Sequence, residues 1–347
     1  SSSSSSMLTC SLLLFPFSLL SIQRVATCSS DRTIKIFDTG SAASSSSSAI
    51  NALGENNNNN DFGGNVGGNN NNFGVQHPAN VVTLTGHEGP VWQVSWAHPK
   101  FGALLASCSF DHTVMIWKET SANVFSRVYV TPKGFFDGSV NAISWAPHEF
   151  GCALAACASD GSCAVVSNVH NQGWTSEKIS DAAHAVGCTG ISWGQNDEIA
   201  SCGCDNLCKI WTRQTENNNS NMNNNNNNYN QKWRLKKELR GHSDWVRDIQ
   251  WAPNNGGSPV HQIASCSQDG KVLIWTPRSS NSSTRRDDDD DSSSSSYVSI
   301  LLNDFKTSVW RLSWSVVGNV LAVSDANNNV SVWKESVDGK WCEVKNI

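Results

Sequence analysis

Apolar and polar residues alternate in short runs along most of the chain, and the runs recur in a fixed order. Residues 91–96, VWQVSW, alternate between the two faces of an extended chain, and this period of two predicts a β-strand. A second run at 104–109 and a third at 113–117 are joined by turn residues 110–112. Each such segment therefore predicts a small antiparallel sheet of short strands.

The unit at residues 86–117 is repeated down the chain. Its clearest second copy lies at 241–275, where GHSDWVRDIQWAP precedes IASCSQDGKVLIW. Weaker copies occupy 140–161, 184–211 and 309–333, and only the second half of a unit is recognisable at 25–38. One small sheet cannot bury its own faces, so repeated sheets stack around an axis. We predict an all-β fold, a six-bladed β-propeller whose first unit is truncated.

Low-complexity segments interrupt this repeat. We expect residues 1–24 to be an atypical N-terminus, mis-predicted or truncated, because serines and a leucine-rich run stand where the first half of a unit belongs. The propeller then spans 25–347. Polar inserts near 41–80, 217–230 and 278–296 are rich in Asn, Ser and Asp. They cannot bury enough apolar surface to offset the entropy of ordering, so we expect disordered loops.

Net charge and cysteine positions indicate which partners and which cellular compartment to expect. The 347 residues carry a net charge of −5 without a basic stripe, which argues against a direct nucleic-acid partner. Five of the twelve cysteines share one repeated strand position, where a small apolar side chain suits a packed interior. We expect these to be reduced thiols of a cytosolic or nuclear protein: Cys28, Cys108, Cys157, Cys202 and Cys266.

A metal site is the alternative use of the cysteines. Cys202, Cys204 and Cys208 are close in sequence, but they lack the paired C-x-x-C spacing of zinc sites and a fourth ligand. We predict no metal and no cofactor.

Histidine, serine and aspartate recur together and invite a catalytic interpretation. The same set, followed by a tryptophan, occurs three times, whereas an active site is normally built once. We interpret the sets as hydrogen-bond networks within blades, and predict a protein that is not an enzyme. The network residues are His87, Ser107, Asp111 and Trp117; His184, Ser201, Asp205 and Trp211; and His242, Ser265, Asp269 and Trp275. Three further tryptophans, Trp92, Trp245 and Trp310, are assigned to one additional repeated position.

The Gly-His, Ser-x-Asp and terminal Trp features resemble the WD-repeat family. Longer stretches are more specific and resemble the Sec-thirteen family within it. They are GHEGPVWQVSWAHP at 86–99, GCDNL at 203–207, HSDWVRD at 242–248, IASCSQDG at 263–270 and WKESVDGKW at 333–341. The related Seh-one nucleoporins share the form of 104–111, LLASCSFD, and are the alternative within the family.

This resemblance implies a non-enzymatic scaffold. It implies an open six-bladed propeller, completed in trans by a blade from a helical-solenoid partner. The expected assemblies are the COPII vesicle coat of ER-to-Golgi transport and the Y-complex of the nuclear pore. The expected locations are the cytoplasm, COPII vesicles, the ER membrane as a peripheral subunit, and the nuclear pore. An adaptor of a ubiquitin ligase or of a nutrient-signalling complex is the alternative outside this class.

An open ring would expose strand edges, which are templates for strand addition. The gap would lie between the first and last units. We expect the partner's blade to be held by Ile34, Ile36 and Phe37 on one side, and by Trp310, Trp314 and Val332 on the other.

Overall fold

The structure is a computed structural model, and it describes residues 10–13, 24–38, 81–169, 172–215, 231–253, 261–278, 297–336 and 338–344. These residues are mostly β-strand, with two single-turn 3-10 helices at Pro99–Phe101 and His148–Phe150. The strands form six antiparallel sheets of four strands each. The predicted all-β propeller of six blades is confirmed. Most of the three inserts and of residues 1–24 lies outside the described residues.

The strands follow chain order, four to a sheet. The first three sheets contain β1 (Cys10–Leu13), β2 (Arg24–Cys28), β3 (Ile34–Asp38) and β4 (Val81–Leu84); β5 (Val91–Trp96), β6 (Leu104–Ser109), β7 (Val114–Ser121) and β8 (Val124–Val130); and β9 (Val140–Trp145), β10 (Ala153–Ala158), β11 (Cys163–Val169) and β12 (Gly173–Ser180). The last three contain β13 (Cys188–Trp193), β14 (Glu198–Gly203), β15 (Leu207–Thr215) and β16 (Gln231–Arg240); β17 (Val246–Trp251), β18 (Ile263–Ser267), β19 (Lys271–Pro277) and β20 (Tyr297–Asp304); and β21 (Val309–Trp314), β22 (Val320–Asp325), β23 (Val330–Glu335) and β24 (Trp341–Glu343).

Neighbouring sheets meet chiefly through their first strands. β1 contacts β5, and the contacts continue through β9, β13 and β17 to β21. The first strand of each sheet is thus the inner strand, and the fourth is the outer strand, as in a propeller blade. In the second to sixth sheets the inner strand has a β-bulge at its second residue. These bulge residues are Trp92, Asn141, Thr189, Arg247 and Trp310.

The core lies in the seams between consecutive sheets. Five apolar clusters fill the five seams from the first sheet to the sixth. Because a neighbour covers each face, the second strands β6, β10, β14 and β18 of the interior sheets are buried along their whole length. This double coverage explains why these strands are nearly continuous in apolar and small residues rather than alternating.

The first and sixth sheets are covered on one face only by described residues. Burial alternates along β2, from buried Arg24 to half-buried Val25 and onward with the same period. β22 alternates in the same way, with Leu321 and Val323 buried and the residues between them half-buried. A period of two in burial means that the described residues pack more closely against one face of the sheet than against the other.

The first sheet differs from the truncated unit predicted above. β1 pairs with β2 in antiparallel register, Cys10 opposite Thr27 and Leu13 opposite Arg24. The leucine-rich run therefore supplies an inner strand, although it lacks the repeated motif. The first sheet has four strands like the others.

The three inserts interrupt the same connection in three different sheets. They join the third strand to the fourth in the first, fourth and fifth sheets, between residues 38 and 81, 215 and 231, and 277 and 297. All third strands run in one direction, so these connections leave the propeller at the same end.

Candidate functional site

The repeated polar residues of the second sheet form a closed network. His87 Nδ1 lies 2.8 Å from Asp111 Oδ2, and His87 Nε2 lies 2.7 Å from Ser107 Oγ. The indole N–H of Trp117 donates to Ser107 Oγ at 2.9 Å. A proton on Nδ1 satisfies the carboxylate, which can only accept, and leaves Nε2 to accept from the serine. The network ties a loop, a turn and two strands of one blade together.

The other two predicted sets are assembled in the same way in the fourth and fifth sheets. Their histidine-to-carboxylate distances are 2.8 and 3.1 Å, and their histidine-to-serine distances are 2.9 and 2.8 Å. Their indole-to-serine distances are 2.9 and 2.8 Å. The residues are His184, Ser201, Asp205 and Trp211, and His242, Ser265, Asp269 and Trp275.

These sets do not have the geometry of a nucleophilic site. Ser107, Ser201 and Ser265 are fully buried, and each serine oxygen already accepts an indole N–H. A catalytic serine must be reachable by its substrate. The networks therefore act as structural ties, because a buried polar group needs a hydrogen-bond partner.

The carboxylates of the networks have lowered pKa values. Burial by itself would raise the pKa of Asp111, but hydrogen bonds from His87 and Thr113 outweigh it and bring the pKa well below its usual range. The backbone N–H of Glu88 also donates to this carboxylate at 2.8 Å. The pKa values of Asp205 and Asp269 are lowered in the same way, against burial, by hydrogen bonds from their own histidines.

The repeated cysteines lie inside the seams. Those of the second strands, Cys28, Cys108, Cys157, Cys202 and Cys266, are at most 1% exposed. Burial raises the pKa of Cys157 to about 11, which keeps the thiol protonated and unreactive. All cysteines with described side chains are free thiols. Among the described residues no group of three or more His, Cys, Asp or Glu side chains is arranged to hold a metal ion.

The first sheet presents a different face from the one predicted for the partner's blade. Ile34 and Ile36 are 1% and 2% exposed and pack in the seam with the second sheet. Phe37 is half-buried on the opposite face. Side chains two apart share a face of a strand and adjacent ones do not, so the three cannot act together. The open face, here called the first terminal face, consists of Val25, Thr27, Lys35 and Phe37.

The sixth sheet also divides the predicted residues between its two faces. Trp314 belongs to the seam with the fifth sheet, where its indole N–H donates to the Gln250 carbonyl at 3.2 Å. Val332 lies on the other face, opposite Ala322 in the strand register. The open face, here called the second terminal face, consists of Ser313, Ala322, Val330 and Val332. Val330 is 70% exposed.

Trp310 is the bulge residue of the sixth sheet. The guanidinium of Arg247, the bulge residue of the fifth sheet, lies 4.6 Å from the Trp310 ring centroid. The same guanidinium lies 5.2 Å from Trp245. Trp245 precedes β17 and is not a bulge residue, so it does not share a position with Trp92 and Trp310 as predicted. Aligning the strands on their sixth-position tryptophan would have identified Arg247 as the equivalent residue.

Six four-stranded blades with recurring His-Ser-Asp-Trp networks define a WD-repeat β-propeller. The family model described as WD domain, G-beta repeat matches residues 15–38, 79–118, 177–212 and 233–276. The first match includes residues 15–24, which belong to the segment predicted from the sequence to be an atypical N-terminus.

Curated relatives cover most of the chain. A protein transport protein SEC13 homolog A of Arabidopsis thaliana is 42% identical over 337 residues, 93% of this chain and 91% of the plant protein. A SEC13 homolog of Drosophila melanogaster is 39% identical over 280 residues, 75% of this chain and 70% of the fly protein. One from Dictyostelium discoideum is 38% identical over 345 residues, 93% and 91% of the two chains. The chain belongs to the Sec13 family of WD-repeat proteins.

No helix among the described residues is both long and apolar enough to cross a membrane.

Proposed function

We propose that this chain is a non-enzymatic scaffold subunit of the COPII coat and of the nuclear pore outer ring, and that it is completed by a blade from a helical-solenoid partner. The observation that carries the proposal is the pair of terminal faces. In both terminal sheets one face is packed in a seam, and the other is not covered by any described residue. Several relatives are named protein transport proteins, which supports a role in membrane traffic.

Strand order supports completion by a partner. Every sheet is built from four consecutive strands. Among the described strands, the extensive contacts between sheets run from the first to the sixth and do not join the sixth to the first. None of the six described sheets combines strands from both ends of the chain to close the ring.

The chemistry of the terminal faces suits a blade rather than a small ligand. Val25 and Phe37 give the first terminal face apolar character, and Val330 and Val332 do the same for the second. Every interior seam is filled by a cluster of such side chains, and an inserted blade would create two more seams. An obligate interface of this kind buries on the order of 2,000 Å² or more. The chain would then occur as a hetero-oligomer.

The proposed partners are those that the resemblance to the Sec-thirteen family implies. They are the helical-solenoid coat subunit of COPII and the nucleoporins of the Y-complex. The chain binds membranes only peripherally, through the coat, on COPII vesicles and the ER. In both assemblies the rigid propeller stiffens the helical solenoid that it binds. It makes no direct contact with nucleic acid and needs no cofactor.

A charged residue on a terminal face tests the proposal. Val332→Asp and Phe37→Asp should each weaken binding to a recombinant COPII solenoid coat subunit more than tenfold, because an unpaired carboxylate would be buried in a new seam. The melting temperature of the isolated chain should change little, since both side chains are half-buried on an open face. Binding is measured by interferometry, and folding by circular dichroism.

Two controls make the result specific. Val298→Asp makes the same change at a residue that is 41% exposed on the outer strand of the fifth sheet, and it should bind like the wild type. Ile36→Asp places the charge in a filled seam and should unfold the chain. Undiminished binding of both terminal-face variants, with the fold intact, would refute the proposal.

A further inference from the structure

The inner strands of five sheets share one design, described here by positions one to six. In β5, β9, β13, β17 and β21, position one is Val or Cys, position four is Val, Ile or Leu, and position six is Trp. Position two is the bulge residue. The residues at positions three and five differ between sheets, and they determine which hydrogen bonds each inner strand makes to the next.

One mode of binding uses an acceptor at position three. Gln93 Oε1 accepts the backbone N–H of Ile143, at position four of the next inner strand, at 2.9 Å. The indole N–H of Trp145 then donates to the Ser95 carbonyl, at position five, at 2.9 Å. Ser95 therefore contributes its backbone to the seam.

The seam between the fifth and sixth sheets repeats this mode. Asp248 Oδ2 accepts the backbone N–H of Leu312 at 3.0 Å, and the indole N–H of Trp314 donates to the Gln250 carbonyl at 3.2 Å. Burial raises the pKa of Asp248, while Arg311 and the backbone N–H of Leu312 lower it. A side-chain acceptor at position three of one inner strand thus accepts the backbone N–H at position four of the next inner strand.

The other mode uses a serine at position five. Ser144 Oγ accepts the backbone N–H of Trp193, at position six of the next inner strand, at 3.0 Å. Ser192 Oγ accepts the N–H of Trp251 in the same way, at 3.0 Å. In both of these sheets position three is occupied by alanine or glycine, neither of which has a side-chain acceptor. Where position three has no acceptor, the serine at position five instead accepts the backbone N–H at position six of the next inner strand.

The bulge residues show that consecutive inner strands run in the same direction. Asn141 Nδ2 donates to the carbonyl of Cys188, the first residue of the next inner strand, at 2.7 Å. Thr189 Oγ1 donates to the carbonyl of Val246, the first residue of the strand after that. Position two thus meets the start of the next strand and position five meets its end.

The sixth sheet also has a serine at position five and no acceptor at position three, and no described inner strand follows it. Position three is Arg311, which has no acceptor atom, and position five is Ser313, which is exposed. We infer that Ser313 Oγ accepts the backbone N–H at the sixth position of an inner strand of the partner's blade. That strand runs in the same direction as β21. It has apolar side chains at its first and fourth positions. This inference rests on the proposed function, in which a partner supplies the blade.

Substitutions of Ser313 can remove its hydroxyl or keep it, and neither change introduces a charge. Ser313→Ala should weaken binding to the recombinant COPII solenoid coat subunit about tenfold, because a buried N–H would lose its acceptor. Ser313→Thr keeps the hydroxyl and should bind within about twofold of the wild type. Neither change should alter the melting temperature of the isolated chain. The matched control is Ser144→Ala, which removes the same hydroxyl inside a filled seam. This variant should have a lower melting temperature than the wild type.

A photo-cross-linking amino acid at position 313 provides an independent measurement. In the complex it should capture one short segment of the coat subunit that has the apolar spacing stated above. Capture of a segment from the helical solenoid instead would overturn the inference.

The possible failures are distinguishable. If Ser313→Ala binds like the wild type while Val332→Asp does not, the inferred hydrogen bond is wrong and the proposed function stands. If Ser313→Ala, Val332→Asp and Phe37→Asp all bind like the wild type with the fold intact, both the inferred hydrogen bond and the proposed function are refuted.

Discussion

At the scale of single residues, three serines organise the polar interior of three blades. Ser107, Ser201 and Ser265 each stand between an imidazole and an indole, and none of the three is accessible to solvent. The two partners of each serine are a histidine from a loop and a tryptophan from the third strand of the sheet. A hydrogen bond of this kind is worth about 1 kcal/mol, but leaving one buried partner unsatisfied costs more. The same residues that suggest catalysis in the sequence therefore contribute to stability.

The carboxylate of Asp111 should make the free energy of unfolding depend on pH in the acid range. Its folded-state pKa is lowered, so the unfolded chain takes up a proton first as the pH falls. The stabilisation is fully present above the unfolded value of about 3.9 and is lost as the pH falls through the folded value. Asp111→Asn should be less stable than the wild type near neutral pH.

The difference between the two proteins should shrink below about pH 4. Urea denaturation at a series of pH values from neutral to acid measures both free energies of unfolding. Parallel pH profiles for the wild type and Asp111→Asn would contradict this account.

At the scale of elements, the turns between strands limit which residues are allowed. Gly161, in the turn between β10 and β11, has a φ of +84°, and a Cβ there would lie 2.0 Å from the His184 carbonyl oxygen. Gly173, at the start of β12, has a φ of +78° and open space around it. The two glycines share a left-handed backbone and differ in their surroundings.

Alanine substitutions at these two positions should distinguish the cost of a left-handed backbone from the cost of a steric clash. Gly173→Ala should cost about 1–2 kcal/mol, the strain of a left-handed residue with a Cβ. Gly161→Ala should cost more than about 4 kcal/mol, because a backbone carbonyl must also move. Thermal and urea denaturation measure both. Equal losses for the two variants would show that the close approach at Gly161 is relieved without cost.

The interior blades could be predicted from the sequence because their signals are local. Both halves of a network such as His87 and Asp111 lie within one unit, and so do the alternating strands. The open faces could not be predicted in the same way. Ile36 and Phe37 are equally apolar, and only the position of the second sheet determines which of them is buried. β1 was missed because it has no repeated motif, and its pairing with β2 identifies it.

At the scale of the whole molecule, stability should decrease from the middle sheets toward the two terminal sheets. The third and fourth sheets pack against a neighbouring sheet on both sides, whereas the described residues pack against the first and sixth sheets on one side. Local opening follows the amount of buried apolar contact. The terminal sheets should therefore open more often than the interior ones in the isolated chain.

Hydrogen exchange followed by mass spectrometry tests this gradient. Amides of β2, β3, β22 and β23 should exchange faster than those of β10 and β14 in the isolated chain. Addition of the COPII solenoid coat subunit should slow exchange in the terminal sheets most, because binding stabilises the state it selects. Uniform exchange across all six sheets, unchanged by the coat subunit, would contradict the proposed closure.

The position of the inserts affects how the chain can vary in length. A tract placed within a hairpin lengthens a loop whose ends the sheet already holds together, and doubling such a loop costs only about 0.6 kcal/mol. All three tracts occupy the connection from third to fourth strand, at one end of the propeller. Residues can accumulate there without separating inner strands or altering the seams. The other end, where the networks of His87, His184 and His242 lie, has short connections between the described strands, and there the outline of the molecule does not depend on the length of the tracts.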